Sequence, residues 1–164
     1  SLNLIKIGNP NSKNIIVEFI DYNCGYCKAI HSELISLSKE NELDLVIYFY
    51  QFPILSDSSR SYAKTVLAIA KTDTDKALKI HNDLMNLPGS LNENKFNNIL
   101  KENNIDIALV QKQITNIDYD EMLEVTYYLA KRIGGSGTPL LIINNFVEQG
   151  FLKKSEIKKL FNYK

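Results

Sequence analysis

The chain has 164 residues, 45% of them hydrophobic and 23% charged, so it can bury a core and does not have a disordered composition. Its 19 Lys and Arg residues balance its 19 Asp and Glu residues, which argues against a nucleic acid or another polyanion as partner. No apolar run approaches the roughly 20 residues that a membrane-spanning helix needs. The length suits one domain, or one domain that carries an insertion.

In chain order, the first third of the sequence alternates between strand and helix patterns. Residues 2–7 predict a short edge strand, and the continuous β-branched run 14–20 is typical of a central strand. Residues 25–41 have the periodicity of an amphipathic helix. Residues 43–52 predict a second strong strand, which Pro53 ends.

The middle of the chain has almost only helical periodicity. Polar side chains near the segment starts can cap these helices. The expected helices cover residues 58–71, 73 or 74 to 86, 92–103, 105–117, and 118 or 120 to 133.

Strand patterns return near the C-terminus. Residues 140–143 predict a buried strand, followed by an Asn-Asn hairpin turn and a return strand at 146–148. Residues 155–163 predict a final helix. The sequence therefore predicts an α/β frame, interrupted by a helical insertion.

Cys24 and Cys27 are the only cysteines, and they flank Gly25 and Tyr26 between a predicted strand and a predicted helix. This position puts the first sulfur at a helix N-terminus, where unpaired N–H groups and the helix dipole stabilise a thiolate. A thiolate is the species that attacks disulfides. The arrangement is typical of a thiol–disulfide oxidoreductase.

A zinc site and a structural disulfide are the alternatives for this cysteine pair. Zinc normally takes four ligands, and only His31 and His81 remain as soft candidates. A disulfide across so short a loop would constrain the unfolded chain little. We therefore favour the redox interpretation.

Three motifs make the chain resemble the DsbA family of the thioredoxin superfamily, closest to its Com1-like or ScsC-like branch. They are residues 18–28 (Glu-Phe-Ile-Asp-Tyr-Asn-Cys-Gly-Tyr-Cys-Lys), 52–55 (Phe-Pro-Ile-Leu) and 135–139 (Gly-Ser-Gly-Thr-Pro). The resemblance covers nearly the whole chain. It implies an α/β thioredoxin fold, with a thioredoxin-like domain at 1–56 and 134–164 and an inserted all-helical domain at 57–133.

The resemblance also assigns roles around the two cysteines. Cys24 would be the exposed nucleophile, and Cys27 the buried resolving thiol one helical turn later. Gly25 and Tyr26 would tune the thiolate; they add no charge, so we expect a less extreme oxidant than relatives with a His here. Because the dipeptide occurs in both oxidases and isomerases of the family, it leaves the direction of exchange open.

Thr138 and Pro139 resemble the cis-proline loop that faces the dithiol in this superfamily. Such a loop would present the backbone of Thr138 to an extended substrate strand, and the Thr138 hydroxyl could reach the Cys24 sulfur. An ordinary loop proline before a strand is the alternative. The glycines at 134, 135 and 137 are expected to end the helix and let the chain pass close to the dithiol, and without a following Lys they do not form a phosphate loop.

Glu18 lies on the predicted central strand, at a position where family members have a buried acid. Burial would raise its pKa and let it exchange a proton with Cys27; a solvated Glu at the strand end is the alternative. We expect His31 on the surface of the first helix and see no partner for His81. Other side chains expected to shape a groove beside the dithiol are Tyr22, Phe52 and Pro53.

These expectations describe an oxidase that introduces disulfides into secreted proteins, without a metal or organic cofactor, since the Cys24–Cys27 disulfide is the redox centre. By resemblance it would work in the bacterial periplasm, after removal of a signal peptide or anchor before Ser1, and a membrane partner would reset the dithiol. A reductase or isomerase of the same fold is one competitor. A peptide-binding, chaperone-like module is another, from a different class.

Overall fold

A computed structural model describes residues 2, 4–40 and 43–161, which form five strands and seven helices. The elements in chain order are β1 (Lys6–Gly8), β2 (Ile15–Ile20), α1 (Gly25–Ser38), β3 (Val46–Gln51), α2 (Asp57–Thr72), α3 (Thr74–Asn86), α4 (Glu93–Glu102), α5 (Ile107–Asn116), α6 (Tyr119–Arg132), β4 (Leu140–Ile143), β5 (Phe146–Gln149) and α7 (Lys154–Phe161). No helix among these residues is long and apolar enough to cross a membrane.

The strands form one mixed sheet in the order β1-β3-β2-β4-β5. β2 runs parallel to β3 and antiparallel to β4, so β2 lies at the centre, as its β-branched sequence predicts. The hairpin between β4 and β5 turns at Asn144, whose φ of 52° lies in the left-handed region that Asn tolerates. Gly8 has φ +90°, and a Cβ there would lie 2.2 Å from the Leu45 carbonyl oxygen, so the edge strand β1 needs glycine at its end.

The two faces of the sheet bury different clusters. One face carries Ile16, Ile20 and Phe49, which pack in the large core together with α1 and the helices between β3 and β4. The opposite face carries Phe19 and Leu140, which pack with Ala130, Tyr127 and neighbouring residues of α6. The β2–β3 register places Glu18 opposite Phe49, so a carboxyl group enters the large core beside an aromatic ring.

The predicted order of strands and helices is confirmed, with ends that differ by a few residues. Side chains of Ser56, Asp73, Asn92, Asp106 and Asp118 cap α2 to α6, each accepting a backbone N–H from the first turn. β1 begins at Lys6 rather than at residue 2, and β3 is shorter at both ends than predicted. The expected helix ends at Asn41 and Tyr163 lie outside the described residues. The division into two domains stays a prediction.

Candidate active site

Cys24 is the N-cap residue of α1, with φ −85° and ψ 114°. Its sulfur accepts a hydrogen bond from the Cys27 backbone N–H at 3.3 Å, so it occupies the place that a capping oxygen takes in other helices. The residue is 6% exposed. The expected exposed sulfur is therefore mostly covered, while the neighbouring Tyr26 side chain is 68% exposed.

The pKa values of the two thiols are shifted in opposite directions. A hydrogen bond from the Cys27 thiol, with the backbone N–H groups of Cys27 and Tyr26, lowers the pKa of Cys24 to about 6, against the effect of burial. Cys27 is fully buried, as predicted, and burial, its bond to Cys24 and nearby Glu18 raise its pKa. At neutral pH the reduced pair therefore holds one thiolate, on Cys24.

Glu18 is fully buried, which confirms the predicted burial. Neither carboxylate oxygen has a hydrogen-bond partner among the described residues. Burial first, and then the charge of Cys24, raise its pKa well above the ordinary value. Glu18 is therefore a carboxyl group that stays protonated at a pH where exposed glutamates are ionised.

The Thr138–Pro139 peptide is cis, and it lies against the dithiol. In its protonated form, the Cys24 thiol donates to the Thr138 carbonyl oxygen at 3.4 Å. The hydroxyl of Thr138, which we expected at the sulfur, has no hydrogen-bond partner among the described residues. A Cβ on Gly135 would lie 2.3 Å from a Leu140 methyl group and 3.0 Å from the Ala130 carbonyl oxygen, so glycine lets this loop pack tightly.

Asp21, which the sequence did not single out, holds the turn before the dithiol. One carboxylate oxygen accepts from the Asn23 N–H at 2.8 Å, and the other accepts from the N–H groups of Ile54 and Leu55, both at 2.9 Å. Asp21 also accepts at its backbone oxygen from the Cys24 N–H. Because this side chain is buried and joins two loops, it positions the cysteine relative to the segment after β3. An Asp before a turn was the only sequence signal for this role.

The two histidines are placed differently from the prediction. His31 is fully buried rather than on the helix surface, because α3 packs against α1 and covers that side. His81, on α3, faces it with ring centroids 5.2 Å apart. Its Nδ1 lies 3.0 Å from the hydroxyl of Tyr22, which in turn accepts from Gln51 Nε2 at 2.9 Å. Burial lowers the pKa of His31 to about 4 and that of His81 well below its ordinary value, so both rings are neutral.

The aromatic residues expected to shape a groove lie on opposite sides of the sheet. Tyr22 is 1% exposed and packs in the large core, so it does not line an accessible surface. Phe52 belongs to the opposite cluster. Pro53 follows it and accepts a hydrogen bond from Tyr127 at its carbonyl oxygen. Exposed apolar surface near the dithiol comes instead from Tyr26, Ile54 and Leu55.

No metal cluster is present in the described part of the chain, where no three side chains of His, Cys, Asp or Glu are grouped to hold an ion. The ring of His81 packs against Tyr22 and Phe49, and that of His31 packs against Phe49. These contacts give no support to the zinc alternative.

Solved structures with the same fold define the class of this protein. A thioredoxin-like oxidoreductase from Silicibacter pomeroyi DSS-3 superposes with a TM-score of 0.87 at 26% identity, over 96% of this chain and 89% of that one. The thiol-disulfide exchange protein alpha-DsbA2 from Wolbachia pipientis gives a TM-score of 0.84 at 30% identity, over 94% and 83%. The catalytic domain of Proteus mirabilis ScsC shares the fold, with a TM-score of 0.82 at 24% identity over 95% and 85%.

The sequence also matches a family model described as Thioredoxin over residues 2–162. The chain therefore belongs to the thioredoxin superfamily, and among its members it is a DsbA-like thiol:disulfide oxidoreductase. The thiol:disulfide interchange protein DsbC of Salmonella typhimurium is 23% identical over 150 residues. The match covers 91% of this chain and 51% of DsbC, so the chain spans about half the length of that curated relative.

Proposed function

We propose that this protein is a thiol:disulfide oxidase that introduces disulfides into secreted protein substrates. The observation that carries the proposal is the asymmetry of the two thiols. The pKa of Cys24 is lowered to about 6, while burial raises that of Cys27. A Cys24 thiolate stabilises the reduced form, so the disulfide is readily transferred to a substrate.

The reaction is two successive exchanges. A substrate thiolate attacks the Cys24 sulfur of the Cys24–Cys27 disulfide; an S–S bond to Cys24 forms, the internal bond breaks, and Cys27 leaves with the electron pair. A second substrate thiolate then attacks the substrate sulfur of this mixed disulfide. The substrate disulfide forms and Cys24 leaves as a thiolate. The substrate loses two electrons and the protein dithiol gains them.

Glu18 is the proposed proton donor to Cys27. The departing Cys27 thiolate is buried and has a raised pKa, so it takes up a proton. Glu18 is also buried, its own raised pKa keeps it protonated, and its charge affects the pKa of Cys27. In the reverse direction the same carboxylate would accept the Cys27 proton.

Thr138 and Pro139 form the proposed contact for the substrate backbone. Thr138 already lies within hydrogen-bonding distance of the Cys24 sulfur, so a peptide bound along this loop would bring its cysteine to Cys24. The exposed side chains of Tyr26, Ile54 and Leu55 supply apolar surface beside it. An unfolded substrate exposes apolar residues that would pack there.

The test is the equilibrium of the Cys24–Cys27 disulfide with a series of reduced and oxidised glutathione mixtures, with the Cys24 thiolate titrated in parallel. We expect a potential at least about 30 mV above the roughly −270 mV of thioredoxin, because the Cys24 thiolate stabilises the reduced form, together with a Cys24 pKa near 6. A low potential with a near-normal thiol would contradict the oxidase proposal. Cys24→Ser is the control, since it removes the thiolate signal that is assigned to Cys24.

An isomerase is the second candidate, favoured by the match to the interchange protein DsbC. An isomerase would restore activity to a substrate with scrambled disulfides when the dithiol is kept reduced, and an oxidase would act on a reduced substrate.

If the protein is an oxidase, we expect it to work in the periplasm and to have a membrane partner that reoxidises the dithiol. If Cys24→Ser kept full function in cells, a peptide-binding module would replace both candidates.

A further inference from the structure

A groove of about 620 Å³ opens beside the dithiol, between the start of α1 and the segment that joins α3 to α4. Asn23, Gly25 and Lys28 line one side, and residues of segment 87–91 line the other. Gly25 directly follows Cys24, whose sulfur the substrate thiolate attacks. A ligand in this groove therefore lies next to Cys24.

Two ammonium groups are fixed on the segment 87–91: that of Lys28, which lines the groove, and that of Lys95, which does not line it but is bound to the lining residue Ser90. Lys28 Nζ donates to the carbonyl oxygens of Leu87 at 3.3 Å and Gly89 at 2.9 Å, and Lys95 Nζ donates to that of Ser90 at 2.8 Å. These partners are neutral, and across the described residues neither lysine belongs to an ion pair. Burial and then the charge of Lys95 lower the pKa of Lys28, so the two cations repel each other.

Both ammonium groups keep hydrogen-bonding capacity for a ligand. An ammonium group has three donors, of which Lys28 uses two and Lys95 uses one. The first turn of α1, which contains Lys28, has no acidic residue, and Glu93 in the first turn of α4 forms no ion pair with Lys95 among the described residues. A carboxylate in the groove would accept the unused donors and relieve the repulsion between the lysines.

We propose that this groove binds acidic side chains of the substrate polypeptide, so that the protein prefers substrate cysteines with Asp or Glu nearby in sequence. The inference rests on the proposed function, because it assigns a substrate class to the same dithiol. The bound carboxylate would hold the substrate beside Cys24 during the exchange already described. Charges of this kind act mainly on association rate and depend on salt.

The experiment follows reduction of the Cys24–Cys27 disulfide by peptide dithiols that differ only in the residues flanking their cysteines: Asp and Glu, Asn and Gln, or Lys. Acidic residues beside a cysteine also change the pKa of its thiol. Each rate is therefore divided by the rate at which the same peptide reduces a small neutral disulfide. We expect a roughly fivefold higher normalised rate for acidic than for amide peptides at low salt. The preference should vanish near 1 M salt, where the Debye length is about 3 Å.

Lysine variants locate the effect in the groove. Lys28→Gln and Lys95→Gln should each lower the ratio of acidic to amide rates, and Lys28→Arg should keep it. Lys76→Gln is the matched control and should leave the ratio unchanged, because Lys76 lies in the first turn of α3, about 16 Å along the helix from Leu87. A purely structural role for Lys28 would change the rates of all peptides by the same factor.

The outcomes separate the inference from the proposed function. Equal normalised rates for all peptides, or a preference that survives in the Lys28→Gln, Lys95→Gln double variant, would overturn the inference while exchange persists. If the double variant changed the rate with glutathione but not with acidic peptides, the groove would serve a small anionic thiol, and the inference would be wrong. No exchange with any peptide would overturn both.

Discussion

At Cys24 the hydrogen bond from the Cys27 thiol, with the N–H groups of the α1 N-terminus, lowers the pKa and so determines how many protons the reduced dithiol binds. With a Cys24 pKa of about 6, reduction takes up two protons below this pH and one above it. The potential should fall by about 59 mV per pH unit in the first range and about 30 mV in the second. At pH 7 the thiolate stabilises the reduced form by about 1.4 kcal/mol, or about 30 mV.

This slope change is measured as the glutathione equilibrium between pH 5 and 8. Tyr26→His supplies the comparison, because the exposed Tyr26 side chain can be replaced without disturbing the core. A protonated imidazole beside the sulfur should move the change of slope to lower pH. A two-proton slope that continues to pH 8 would show an ordinary Cys24 thiol.

At Glu18, we expect one substitution to stabilise the fold and to slow the exchange reaction. Its carboxyl group is buried without a hydrogen-bond partner among the described residues, so Glu18→Met should raise the free energy of unfolding by about 1–3 kcal/mol. The same variant should slow the step that releases Cys27 at least tenfold, because the proton donor is lost. Urea unfolding and stopped-flow exchange measure the two effects; faster exchange in the variant would exclude Glu18 as the donor.

At the scale of elements, the Tyr22–His81 hydrogen bond joins the end of β2 to α3. Tyr22→Phe removes only the hydroxyl, but it leaves the buried nitrogens His81 Nδ1 and Gln51 Nε2 without their partner. We expect a loss of about 1–3 kcal/mol in the free energy of unfolding. Tyr128→Phe is the control: that side chain is 62% exposed, and its change should stay within about 0.5 kcal/mol. If urea titrations gave both variants the same change in free energy of unfolding, the Tyr22–His81 hydrogen bond would not stabilise the packing of α3 on β2.

The region around α1 and α3 shows which features the sequence could predict and which it could not. The strand before Cys24, the helix after it and the burial of Glu18 follow from local patterns, and all are present. The burial of His31 depends on α3, and its neighbour His81 is 50 positions later in the chain. Periodicity gives the face of a helix but not the element that covers it, so His31 was wrongly predicted on the surface. Asp21 and Lys28 form hydrogen bonds to the backbone of loops. Such bonds produce no periodic pattern in the sequence, so they could not be predicted from it either.

For the whole molecule, the buried histidines make folding stability depend on pH. In the unfolded chain a histidine titrates near 6.5, whereas burial lowers the pKa of His31 to about 4 in the folded protein. Between these values the unfolded state binds more protons, so stability is fully present above pH 6.5 and is lost as the pH falls towards 4. His31 alone accounts for about 3 kcal/mol of this loss. Glu18 acts in the opposite sense, because its raised pKa removes stability as the pH rises above its unfolded value.

The contribution of His31 can be separated by comparing the protein with His31→Leu, since Glu18, Cys24 and the surface carboxylates are common to both. Urea unfolding of each at pH 7, 6, 5 and 4 gives the difference in free energy of unfolding between them. As the pH falls, this difference should shift by about 3 kcal/mol in favour of the variant, which has no imidazole to protonate at this position. A difference that stays constant from pH 7 to 4 would mean that His31 titrates equally in both states. That result would contradict its burial between α1 and α3, and with it the packing of α3 on the helix that carries the dithiol.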